Sequence, residues 1–184
     1  MNIFAIDKCP NKSAKHLCDK HLSKMAVESF QMLGSAVIRY GATPDQMPLT
    51  SKGTPLKGGY HHHPCTKWSG DTYQNFAWLC SHAIRICKEF TDRYGKEHSC
   101  KKGIYHLFNM VNRSDIKIPY DKLTDFAVAI SDNMNCRLIP DFDLFPSVTK
   151  YRLYYKLDKP FASWKQNEPK WYSYSIDKII NMEI

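Results

Sequence analysis

The chain has 184 residues, a length that suits one domain around a single core. With 43% hydrophobic and 13% aromatic residues it reads as globular rather than disordered, and no run reaches the roughly 18 apolar residues of a membrane span, so no membrane partner is expected. Its 26 Lys and Arg against 18 Asp and Glu leave a formal charge of +8, which favours a polyanionic partner such as nucleic acid, or marks a basic protein without one.

The opening stretch MNIFAID alternates weakly and reads as a short N-terminal strand or an extended arm. It lacks the basic start and long apolar stretch of an export signal, so a cytoplasmic location is expected, in a host cell if the chain is viral. The seven cysteines, at 9, 18, 65, 80, 87, 100 and 136, are odd in number and show no framework spacing, which fits reduced thiols, most of them buried. Ser13 is expected to cap a helix that runs to about Tyr40 and stops at Gly41. Residues 41–68, rich in Pro, Gly, Thr and Lys, read as a long irregular loop of the kind that often carries function. Asp71 is expected to cap a second helix to about Tyr94, with Phe76, Cys80, Ala83, Ile84, Cys87 and Phe90 at helical spacing and Gly95 beyond. Further helices are expected from about Lys101 to Met110, from Asp121 to Asn133, and from Ser147 through Leu157, where Pro160 bars continuation. Asp141 to Pro146 reads as a turn. The fold class that follows is mainly α: a compact single-domain helical fold with long irregular loops.

On the first long helix, His21, Lys24, Glu28, Gln31, Ser35 and Arg39 stand 3, 4, 3, 4 and 4 residues apart and share one narrow stripe. Between Met25 and Ile38 nearly everything else is apolar or small, Ser29 excepted. The stripe is either the helix's solvent face or the lining of a polar cleft. In a cleft, a glutamate beside a lysine is held ionised, whereas burial pushes it toward a general acid; both readings stay open.

The loop segment GGYHHHPCTKWSGD carries three adjacent histidines. Neighbouring histidines in an extended loop point different ways, and Cys9, His16, Cys18 and His21 match no standard zinc spacing, so no metal is assigned. No cofactor is expected either. Pro64 pushes His63 into an extended conformation, and Lys67 and Trp68 then precede a helix start, where backbone N–H groups favour phosphate. Residues 150–178 interleave seven Lys and Arg with eight aromatics against three acids. Cations hold phosphates and aromatic faces stack on bases, which makes Arg152, Trp164, Trp171 and Tyr172 candidate nucleic-acid contacts; the alternative is that the rings pack inward and the lysines face solvent.

Taken together, three segments resemble one family. His16 followed by Leu17, the stretch YHHHPCTKW around His63 and Pro64, and PKWYSYS with Trp171 and Tyr172 are similar to segments of the pyrimidine dimer DNA glycosylases, the group that includes the phage endonuclease V type enzymes. Many such enzymes are phage or viral. The resemblance implies cleavage of an N-glycosidic bond by a chain-terminal α-amine, an imine on C1′ that permits strand scission by β-elimination, a supporting glutamate, and a target base flipped from the duplex. An α-amine suits this role because its intrinsic pKa is only about 8. Two departures stand out. The family pairs Arg with Glu on its first helix, where this chain has Lys24 and Glu28. The family exposes its amine by removing Met1 before a small residue, whereas Asn2 leaves Met1 in place.

The expected function is therefore that of a DNA glycosylase, with or without lyase activity, acting on damaged or modified pyrimidines in DNA. Met1, His21, Lys24 and Glu28 are the expected catalytic group. His16, His63, Lys67, Trp68, Arg152, Trp164, Trp171 and Tyr172 are the expected nucleic-acid contacts. A His-rich metal-dependent nuclease and a non-catalytic phage binding module are the alternatives.

Overall fold

The structure, a computed structural model, describes residues 1–182. Seven α-helices follow in chain order: α1 (Pro10–Lys15), α2 (Asp19–Arg39), α3 (Pro64–Asp71), α4 (Tyr73–Tyr94), α5 (Lys101–Asn112), α6 (Ser147–Asp158) and α7 (Ile176–Ile180). Short 3-10 turns at Pro44–Gln46, Asn135–Leu138, Phe142–Leu144 and Lys170–Ser173 punctuate the connections. The described residues contain no strand, only an isolated bridge between Leu49 and Pro55, so the class is mainly α. No described helix is long and apolar enough to cross a membrane.

α2 lies at the centre, packed on α4, α3 and α5, and α4 also holds α1. The apolar face read from its periodicity is buried at Leu22, Met25, Ala26, Phe30, Met32, Leu33, Ala36 and Val37. Gly41, at φ +94°, ends it as expected, and Gly95, at φ +68°, does the same for α4 with its N–H on Thr91 O at 2.8 Å. All seven cysteines are unpaired, and every one except Cys9 is buried.

The helix expected from Ser13 to Tyr40 is instead two helices, α1 and α2, broken at His16–Cys18. The break is held by Arg93 on α4, whose guanidinium donates to Lys15 O (2.8 Å), Leu17 O (3.0 Å) and the Asp19 carboxylate (3.0 Å). Those carbonyls are satisfied from outside, so the helix need not continue through them. Ser13 is not a cap; its hydroxyl bridges Phe4 O and Ile6 N of the N-terminal arm. Likewise the cap of α4 is Thr72, which accepts from Asn75 N at 3.1 Å, while Asp71 ends α3 and pairs with Arg39 at 2.8 Å.

The N-terminal segment is an arm, not a strand. Ile3, Phe4, Ala5 and Ile6 are buried, with Phe4 against His21 on α2 and Tyr155 on α6. The helix expected over Asp121–Asn133 is absent: the stretch has no regular secondary structure and ends in a turn at Asp132–Asn133. Its backbone groups are taken by distant side chains instead. Thr124 N donates to Asn75 Oδ1, Ser147 Oγ to Phe126 O, Tyr151 OH to Ala127 O, and Asn2 Nδ2 to Ala129 O. Tertiary hydrogen bonds outweigh a local helical preference here, and the irregular strap closes one side of the cleft described next.

A candidate active site between the arm, α2 and α6

A cleft of about 700 Å³ opens along the first half of the α2 stripe. His21, Lys24 and Glu28 line it from α2, Met1, Asn2 and Phe4 from the arm, and His63 and Pro64 from the start of α3. The opposite wall is the strap at Val128–Ser131, with Tyr154, Lys159 and Phe161 at and beyond α6. The stripe is therefore a cleft lining at its N-terminal end. Toward its C-terminal end Ser35 is buried under the 41–63 loop and Arg39 reaches Asp71.

Glu28 is the hub. Its Oε2 accepts from Asn2 N at 2.8 Å and stands 4.0 Å from the α-amine of Met1, while Oε1 faces Lys24 Nζ at 3.5 Å. The carboxylate is mostly covered, with 12% of its side chain exposed, whereas Lys24 is 68% exposed and free to swing toward an anion. The amine is held by its neighbours on both sides. The Met1 side chain is buried with its sulfur accepting from Thr66 Oγ1 at 3.3 Å. Asn2 accepts from Ile3 N and Phe4 N and donates to Ala129 O.

His21 is buried against the ring of Phe4 (4.5 Å between centroids), and its Nδ1 is hydrogen-bonded to the Tyr155 hydroxyl. Burial, and after it the charges of Lys159, Lys24 and Lys20, push its pKa down to about 4, so the ring is neutral in ordinary buffers. It therefore cannot serve as a cation near pH 7; it can only offer a hydrogen bond or hold its neighbours in place. His63 caps α3 by accepting from Cys65 N at 3.2 Å, and desolvation, then the nearby amino terminus, lower its pKa. The histidine loop thus splits, with His61 and His62 exposed and only His63 turned into the cleft. Among the described residues no group of three or more His, Cys, Asp or Glu could hold a metal ion.

The remaining expected contacts lie apart from this centre. Lys67 is exposed on α3, with its carbonyl toward Arg39. Trp68 is buried between Trp78 and Phe126 and Trp171 is buried beneath Arg152, so neither indole offers a face to a base in this conformation. Arg152 is itself buried, donating to Ile6 O and facing Asp7. Trp164 donates to His16 O at 2.9 Å and packs edge-on against Tyr172. His16 lines a separate basic depression with Lys12, Lys15 and Lys170. Sequence reasoning singled out neither Asn2, Lys20, Tyr154, Lys159 nor Phe161, all of which line the cleft. The last three fall inside the basic-aromatic segment, but interleaved rings and charges look alike whether they face a cleft or the core.

The cleft is open, cationic at Lys20, Lys24 and Lys159, and brings an α-amine to a sheltered carboxylate. That combination can attack an electrophilic carbon and shuttle the proton released. No curated protein and no solved structure matches the chain. The family model of pyrimidine dimer DNA glycosylase matches residues 1–102, more than half of the chain. The match spans α1 to α4 and with them Met1, His21, Lys24, Glu28 and His63. The chain belongs to the pyrimidine dimer DNA glycosylase family.

Proposed function

We propose that the protein releases damaged or modified pyrimidines from duplex DNA by covalent catalysis, with the Met1 α-amine as nucleophile and Glu28 as its partner. The neutral amine attacks C1′, forming an N–C1′ bond as the bond from C1′ to the base breaks and the base leaves with the electron pair. The amine's proton passes to Glu28 Oε2, 4.0 Å away, through one bridging water. Opening of the sugar ring gives a protonated imine. Loss of a C2′ proton from it expels the 3′ phosphate by β-elimination, and water then frees the enzyme.

Lys20, Lys24 and Lys159 surround the cleft and suit the flanking phosphates, as does Lys67 on the exposed side of α3. His16, with Lys12 and Lys15, suits a phosphate further along the strand. The unpaired thiols fit a reducing cytoplasm. The observation that carries this reading is the α-amine beside Glu28 in an open cleft.

The test is borohydride trapping on duplex DNA holding an abasic site or a thymine dimer. A covalent adduct whose peptide maps to Met1 is expected. Base release with no adduct under reducing conditions would replace the amine by a water nucleophile.

A further inference from the structure

Tyr60 stands beside the catalytic cleft with most of its surface exposed. It lines an adjoining cavity of about 550 Å³ with Ser23, Val27 and Gln31, and the two cavities share Met1, Lys20, Lys24 and Glu28. Its side chain makes no ring contact or hydrogen bond among the described residues, and the residue is 68% exposed. A lone exposed tyrosine marks nothing by itself. This one, however, sits at φ +52°, a left-handed backbone that a bulky residue adopts only under constraint.

The constraint is visible. Ser35 on α2 clamps the preceding turn, accepting from Gly59 N at 2.8 Å and donating to Gly59 O at 3.1 Å. Gly58, at φ +67°, lies so close to Ser35 that a side chain there would collide with its backbone. Tyr60 O in turn accepts from His63 N at 2.9 Å, leading into α3. The loop is thus fixed on both sides of a strained residue whose ring alone is left free. The cavity that the ring lines is also lined by an apolar side chain, Val27 (40% exposed), and by two lysines, Lys20 and Lys24. An unpartnered ring beside an apolar patch and cations matches the chemistry of a nucleobase on its phosphate backbone.

We propose that Tyr60 is a stacking residue that packs its ring on a base next to the reacting nucleotide and so positions the strand over Glu28. The inference rests on the reading of the cleft as a DNA site, and it deepens that reading by naming a strand-positioning residue on the loop. Tyr60 is not a catalytic residue, since it holds the substrate rather than the reacting atoms.

The experiment compares the wild type with Tyr60→Phe, Tyr60→Ala and Tyr60→Gly. The probe is a duplex carrying one non-cleavable tetrahydrofuran abasic analogue with 2-aminopurine beside it, read by equilibrium binding and fluorescence. Trapping is run in parallel on a cleavable abasic duplex. Tyr60→Phe should bind within about twofold of wild type, while Tyr60→Ala and Tyr60→Gly should weaken binding about tenfold or more and abolish the 2-aminopurine response. Tyr60→Gly should also melt above wild type, because glycine relieves the left-handed backbone. An alanine variant that binds within threefold of wild type would overturn the proposal. So would a phenylalanine variant as weak as alanine, which would assign the contact to the hydroxyl. Binding lost in Tyr60→Ala while the wild type fails to trap would retain the stacking role and remove the amine chemistry; trapping with unchanged binding would do the reverse.

Discussion

Glu28 accepts a backbone N–H from Asn2, faces Lys24 and stands near the α-amine of Met1. Glutamine keeps the shape and still offers an oxygen to Asn2 N, but it can neither take up a proton nor oppose positive charge on the sugar. Glu28→Gln should therefore lower kcat by roughly 10²–10⁴-fold with DNA affinity nearly unchanged, measured by single-turnover base release and by equilibrium binding. Parallel loss of thermal midpoint and binding would make Glu28 a structural residue. That His21, Lys24 and Glu28 share one face was legible because helical periodicity alone puts residues three and four apart together. Their company was not. Nothing local says that Met1 lies beside a residue of α2, since the arm is placed by Ser13, Asn2 and the rings of α6. Trp68 and Trp171 show the opposite failure: a tryptophan next to lysines has the same sequence signature whether it stacks on a base or fills the core, and both fill the core.

Among the elements, the break between α1 and α2 depends on a buried charge network. Glu89, fully buried, is bonded to Arg85, receives Asn167 Nδ2 at 2.9 Å and stands 3.4 Å from Arg93, which reaches the carbonyls of the break and Asp19. Arg93→Leu would take from buried Glu89 one of its two cationic partners and leave two carbonyls unpaired, so a loss of about 3–5 kcal/mol in urea unfolding is expected. Glycosylase activity should fall with it, because His21 sits on the first turn after the break. Helix ends marked by Gly41 and Gly95 were readable, since glycine at a left-handed stop acts locally. The 121–133 strap was not. Its composition favours a helix, and side chains far away in sequence, among them Thr72, Asn75, Ser147, Tyr151 and Asn2, take up its backbone groups instead. The C-terminal pieces at Lys170–Ser173 and Ile176–Ile180 are too short for periodicity to reveal.

At the scale of the whole molecule, the mainly α class was legible from two long helical runs bounded by stop signals, while the convergence of arm, strap and α6 on one cleft was not, because it depends on packing between distant segments. Burial also sets a pH limit. His21 and the fully buried His82 hold pKa values of about 4, both driven chiefly by desolvation, against an ordinary 6.5. Between those values the unfolded chain binds protons that the folded one refuses, so stability is present above pH 6.5 and drains away as pH falls toward 4, by roughly 2 kcal/mol per histidine at pH 5. Thermal midpoints measured from pH 8 down to 4.5 should show the fall, and His82→Gln should make it shallower; a flat profile would show that neither ring is held neutral. The cleft itself is split along the chain. Its amine, carboxylate and His63 lie within residues 1–102, but its far wall, Val128–Ser131 with Tyr154, Lys159 and Phe161, comes from the other half. On the proposed mechanism, the reacting pair and the wall that faces it are thereby written in separate stretches of gene.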